Sequence, residues 1–295
     1  MKRKRKMLVG GFAAVLVIVL AGILLLRHWP RGEAQIPFAA YGQSYSDKPD
    51  FGMVEYQFPL KRDDLMKLTP RDLEEFDQEQ LDQLYARLTA GPIPDGAFDG
   101  NIIFAKGTGV KRVAEVLGGL KGLAVKFKAR KLDIIGETLW KGKVFYRDQR
   151  VLRNRIEDLA ILKPVIDGEL STIPKITVGG RDAWLLFPAK LYCGQSLLDG
   201  RRESIIIDYA FSDDIEGYRE MPDFLAGRRG FKVRDEIRMI RPGLYLGRAY
   251  LDRFFALTFV LYSDDIAKRD GDAFMAGKLQ EECWTGTQQL AARTS

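Results

Sequence analysis

A chain of 295 residues with 46% hydrophobic and 11% aromatic content can bury a real core, which excludes a disordered protein. The net charge of +6 is modest and concentrated in Lys2, Arg3, Lys4, Arg5 and Lys6, so nothing in the composition asks for nucleic acid. A single histidine, His28, excludes a Ser-His-Asp or Cys-His arrangement and a histidine-bearing zinc site from everything downstream of it.

The five leading cations stand directly before an uninterrupted apolar run, Met7 to Leu26. Crossing a hydrocarbon core takes about 20 apolar residues, and a basic flank stays on the cytoplasmic side. Residues 1–29 therefore read as a cytoplasmic stub and a single-pass inner-membrane anchor, with the globular part periplasmic or extracellular. The competing reading is a cleaved signal peptide, because Gly32 and Ala34 form a passable cleavage pattern before Gln35. Against it, the run is longer than the usual hydrophobic segment of about 7–15 residues.

Residues 30–62 lack helical period and read as a stem with one strand, Met53 to Phe58. Residues 63–132 read as helical. Thr69, Pro70 and Asp72 make a good helix start, and Leu73, Phe76, Leu81, Leu84, Tyr85 and Leu88 give one apolar face as far as about Thr89. Gly91 to Gly96 then forms a turn. From Val110 to Phe127 apolar residues recur at helical spacing among Lys111, Arg112, Lys121, Lys126, Lys128 and Arg130. Such a basic amphipathic helix can contact anionic lipid, and it can equally be a solvated helix packed on its own domain.

Residues 133–263 change character. Trp140 to Tyr146, Ala183 to Tyr192, Ser204 to Phe211, Phe231 to Ile240, Leu244 to Leu251 and Phe254 to Tyr262 are rich in β-branched and aromatic residues and predict strands. Tight connections such as Arg241-Pro242-Gly243 make neighbours antiparallel. A meander without helical crossovers favours a closed or strongly curved sheet able to enclose a small apolar ligand. Residues 264–295 return to a polar, helical tail.

Several segments in one order resemble a known family. Gly91 to Gly100, GPIPDGAFDG, is similar to the W-x-G-x-x-x-P-T-G-H-P-L-x-G opening of the lipocalin-like GXWXG family, with Leu88 at the place of its first Trp. Trp140 to Phe145, WKGKVF, resembles that family's W-Y-G-K-R-F element. Ala189 to Tyr209 resembles a segment of its companion domain, and Leu244 to Tyr250 and Phe254 to Tyr262 fit the two closing strands. The resemblance spans about residues 85–263, without the histidines of the two motifs and with a longer insertion before Trp140. It implies a lipocalin-like barrel and brings no established activity. The fold expected is therefore α+β: a transmembrane helix, then a mostly antiparallel lipocalin-like β-barrel or curved sheet with a few packed helices.

No cofactor motif stands out, since Lys106 to Lys111 lacks phosphate-loop spacing. Carboxylates inside strands remain. By alternation Val233, Asp235, Ile237 and Met239 share one face of a strand, and Arg234, Glu236, Arg238 and Ile240 the other. An inward Asp235 needs a cation, for which Arg248, flanked by Leu246 and Tyr250, is a candidate. The expected ligand-binding set is Asp208, Asp235, Arg238, Arg248, Tyr250 and Trp140, with an arginine holding an anionic headgroup. The alternative is surface ion pairing across an antiparallel sheet. Cys193 and Cys283 can pair in an oxidising compartment or remain two buried thiols. These readings favour a membrane-anchored protein binding a lipid or fatty acyl ligand in a barrel. An envelope enzyme working through Asp208 or Asp235, and a structural barrel filled by its own side chains, are the alternatives.

Overall fold

The computed structural model describes residues 34–42, 47–103, 140–159, 162–163, 166 and 168–286. The chain divides into Met1–Gln35 and Ile36–Ser295, and every element below belongs to the second unit. The expected anchor and the basic helix lie outside the described residues. Among the described residues no helix is long and apolar enough to cross a membrane.

Four short helices come first: α1 (Phe51–Gln57), α2 (Arg62–Lys67), α3 (Pro70–Glu74) and α4 (Gln78–Arg87). The stretch expected to be a strand, Met53 to Phe58, is mostly helix α1. Its start is fixed by Asp50, whose side chain accepts from the Met53 backbone N–H, and the helix buries Val54 and Glu55. The single helix expected after Thr69 is two. Thr69 and Asp72 close a capping box on α3, then Asp77 and Gln80 close a second one on α4, so the chain restarts where one helix was expected to continue.

The sheet comprises β1 (Gly96–Ile103), β2 (Trp140–Tyr146), β3 (Val151–Ile156), β4 (Lys175–Val178), β5 (Arg181–Gln195), β6 (Glu203–Asp208), β7 (Val233–Arg241), β8 (Leu244–Leu251) and β9 (Phe254–Tyr262). All pairings are antiparallel. The order β3-β2-β1-β9-β8-β7-β6-β5 closes through β3 on β5 into an eight-stranded barrel, with β4 folded onto the start of β5. The segment expected only as a turn after Gly91 thus turns at Gly91 to Asp95 and then supplies β1, which joins β2 to β9. Closure leaves no open sheet edge among the eight.

Both faces of β7 and β8 are buried. Inside, one half of the barrel is filled: Phe98, Phe145 and Tyr245 are 1–3% exposed and meet edge to face at 5.4 and 5.8 Å. Outside, α4 covers β6 to β8, and its Tyr85 hydroxyl bonds Ser204 Oγ at 3.0 Å. After β9 the helix α5 (Asp264–Met275) leads into a strap, residues 279–286. The Glu281 carboxylate accepts from the Gly91 N–H at 2.7 Å and Glu282 from that of Ile93 at 3.1 Å. A disulfide between Cys193 and Cys283, Cα atoms 5.3 Å apart, fastens the strap to β5.

Candidate ligand-binding site

Among the described residues, the other half of the barrel holds an open pocket. A cavity of about 250 Å³ lies among Ile102, Trp140, Ile156, Phe187, Leu257 and Phe259, with Lys143, Asn154, Tyr209 and Asp235 at its polar side. A longer groove of about 480 Å³ runs outside the barrel between α2, the end of β7 and the strap. Its acids already serve the fold: Glu55 holds Arg201 and Arg202, and Glu281 holds Thr89 and Gly91. The barrel cavity, walled by apolar groups around a few converging polar ones, has the make-up of a ligand site.

Two irregularities in the strands build it. Trp140 and Lys143 are three apart, a spacing that puts side chains on opposite faces of a regular strand. Between them β2 bulges: Trp140 pairs with Ile156 while Gly142 pairs with Arg155, so two residues advance against one. Both side chains then turn inward. Gly142 has φ +131°, and a Cβ there would strike the Phe98 carbonyl, so only glycine fits. On the facing side β5 advances three residues while β3 advances two, and the extra residue is Phe187. Its φ of 51° is rare for an aromatic side chain. The buried Asp223 holds it there, accepting from the Phe187 N–H at 2.7 Å and from the Arg219 N–H at 2.9 Å. Burial pushes the Asp223 carboxyl above its ordinary range.

Space comes from two inward glycines. A Cβ on Gly100 would strike the Trp140 indole, and one on Gly247 the Phe259 ring. These two rings meet edge to face at 5.7 Å. Lys143 Nζ lies 5.3 Å from the Trp140 ring centre and 5.5 Å from those of Tyr209 and Phe259, within reach of their negative faces.

Lys143 is 3% exposed. It donates to Tyr209 Oη at 2.7 Å, Asn154 Oδ1 at 2.9 Å and Asp235 Oδ2 at 3.0 Å. Asn154 Nδ2 donates to the Phe187 carbonyl at 2.9 Å and to Tyr209 Oη at 3.0 Å. Trp140 Nε1 donates to Asn154 Oδ1 at 2.9 Å, and the Tyr209 hydroxyl to Asp235 Oδ2 at 3.3 Å. Burial alone would lower the Lys143 pKa; its contacts with Tyr209 and Asp235 outweigh it and hold the ammonium above the ordinary lysine range. Such an amine is a charge partner and not a nucleophile, which needs a lowered pKa. Burial, offset in part by Lys143, pushes the Tyr209 phenol up to about 12.

Of the residues expected to bind ligand, Trp140 and Asp235 line this cavity. The partner of Asp235 is Lys143 and not Arg248, because the register sets Asp235 opposite Ala249 and Glu236 opposite Arg248. Arg238, Arg248 and Tyr250 face outward, buried under α4. Arg238 donates to the Tyr85 carbonyl at 3.1 Å and to Ser204 Oγ at 2.9 Å; Arg248 pairs with Asp82 and bonds the Tyr250 hydroxyl. Asp208 also lies outside the cavity, accepting from the Tyr192 hydroxyl at 2.8 Å and the Ala210 N–H at 2.7 Å. Sequence reasoning did not single out Lys143, Asn154, Tyr209 or Phe187. The one available signal was a glycine between Trp140 and Lys143 inside a strand, which marks a bulge.

No family model and no curated protein matches the chain. A solved structure, a protein from Thermomonospora curvata, is similar at 16% identity with a TM-score of 0.33, over 64% of this chain and 88% of that one. A likeness of that size carries no argument about fold or function.

Proposed function

We propose that this is an envelope protein, anchored by residues 7–26, that holds a small and mostly apolar ligand inside its barrel. The observation that carries the reading is the open pocket in one half of the barrel, an apolar and aromatic chamber of about 250 Å³ with one buried polar cluster. Ligand sites for drug-sized molecules span roughly 300–1,000 Å³. The volume therefore favours a compact ligand over a whole lipid. The resemblance to the lipocalin-like GXWXG family belongs to this proposal, since its Trp140 to Phe145 element supplies both Trp140 and Lys143 to the chamber.

The chamber weighs against a barrel filled by its own side chains. Asp235 is the only carboxylate among its described lining residues, which weakens hydrolysis by paired acids. Native mass spectrometry of the full chain tests the proposal. A one-to-one adduct is expected for the wild type, and its loss is expected for Ala249→Trp, which fills the chamber from β8. A folded wild type that carries no adduct and takes up no small apolar molecule would overturn it.

A further inference from the structure

The polar demand of the chamber can be read atom by atom, resting on the reading that the chamber binds a ligand. Every side-chain donor among its described lining residues is spent inside the protein. Lys143 places its three N–H bonds on Tyr209, Asn154 and Asp235; Asn154 places both of its own on Phe187 and Tyr209; Trp140 donates to Asn154, and the Tyr209 hydroxyl to Asp235. Acceptors are not all spent. Both bonds to Asp235 reach Oδ2, whereas Oδ1 has no hydrogen-bond partner among the described residues. Oδ1 is not fully enclosed, and Asp235 lines the chamber.

We infer that the ligand carries a hydroxyl or N–H donor for Asp235 Oδ1 on a compact, ring-like apolar body, and that carboxylate ligands are turned away. Among the described lining residues an anion would find no free side-chain donor, and it would meet a carboxylate whose buried counter-charge there is already engaged. Trp140, Phe187 and Phe259 line the chamber with aromatic surface. Lys143 acts here as a positioning residue: it fixes Asp235 Oδ2, which leaves Oδ1 for the ligand.

Four probes of nearly one shape separate the possibilities: p-cresol, 4-methylanisole, p-xylene and 4-methylbenzoate. Each is titrated into the full chain in detergent by ligand-observed NMR, with the signal from detergent alone subtracted. p-Cresol is expected to bind about tenfold or more tighter than the ether and the hydrocarbon, as a hydrogen bond to a charged group confers. 4-Methylbenzoate is expected to bind more weakly than p-xylene. In Asp235→Asn the advantage of p-cresol over 4-methylanisole should shrink, and the wild-type series decides the matter alone if that variant does not fold. Equal binding of p-cresol and p-xylene, or preference for the carboxylate, overturns the donor assignment and leaves a binding chamber. No binding by any of the four removes the binding reading and the donor assignment with it.

Discussion

Lys143 and Asp235 form an ion pair in which both side chains are at most 6% exposed. Removing one partner from such a pair strands a buried charge, whereas replacing both with apolar groups is often neutral or better. Lys143→Met is therefore expected to destabilise the protein by about 3–5 kcal/mol, and the double variant Lys143→Met, Asp235→Leu by far less. Chemical denaturation of the two variants checks this, and a double variant as unstable as the single one would refute the pairing. The inward face of β7 was readable, because alternation alone sets Asp235 apart from Glu236 and Arg238. Its partner was not. Choosing Arg248 requires a register, and the observed register places Arg248 beside Glu236 on the outer face.

At the scale of elements, the strands were read well wherever they are long and aromatic. β1, β3 and β4 were missed because Gly96–Ile103 carries two glycines directly after a turn, Val151–Ile156 reads VLRNRI and Lys175–Val178 is only four residues, so none shows a clean apolar alternation. The two bulges, which decide what faces the chamber, depend on pairing between distant strands and leave only a glycine as a local trace. The strap shows the same limit: Cys193 and Cys283 lie 90 residues apart, and only the tertiary fold brings β5 beside the strap. Cross-linking a loop of that length restricts the unfolded chain by roughly 4–5 kcal/mol in the chain-entropy estimate. Cys283→Ser is expected to lose about 2–5 kcal/mol of stability. Urea unfolding with and without reductant measures it, the wild type under reductant falling to the variant's value and the variant itself unmoved.

For the whole molecule, the buried phenols set how the fold meets alkali. Tyr209 is raised to about 12, and Tyr85, Tyr245 and Tyr250 are raised as well, in each case chiefly by burial. In an unfolded chain a tyrosine titrates near 10. Above about pH 10 the unfolded state therefore sheds protons that the native state keeps, so the native state binds more protons and stability falls as pH rises. Lys143 works in the same direction. With its native pKa above the unfolded value, its contribution is complete below about pH 10.4 and is lost as pH climbs through the native value. The thermal midpoint should thus hold level from pH 8 to about 10 and then drop, with Tyr209 alone contributing on the order of 2 kcal/mol by pH 12. In Tyr209→Phe, which has no phenol to ionise at this position, the drop should be shallower. Tyrosinate absorbance supplies the independent readout. The part due to the buried phenols should rise together with loss of the fold, and full tyrosinate absorbance in a still-folded protein at about pH 12, where a free phenol is almost wholly ionised, would show that these phenols reach solvent.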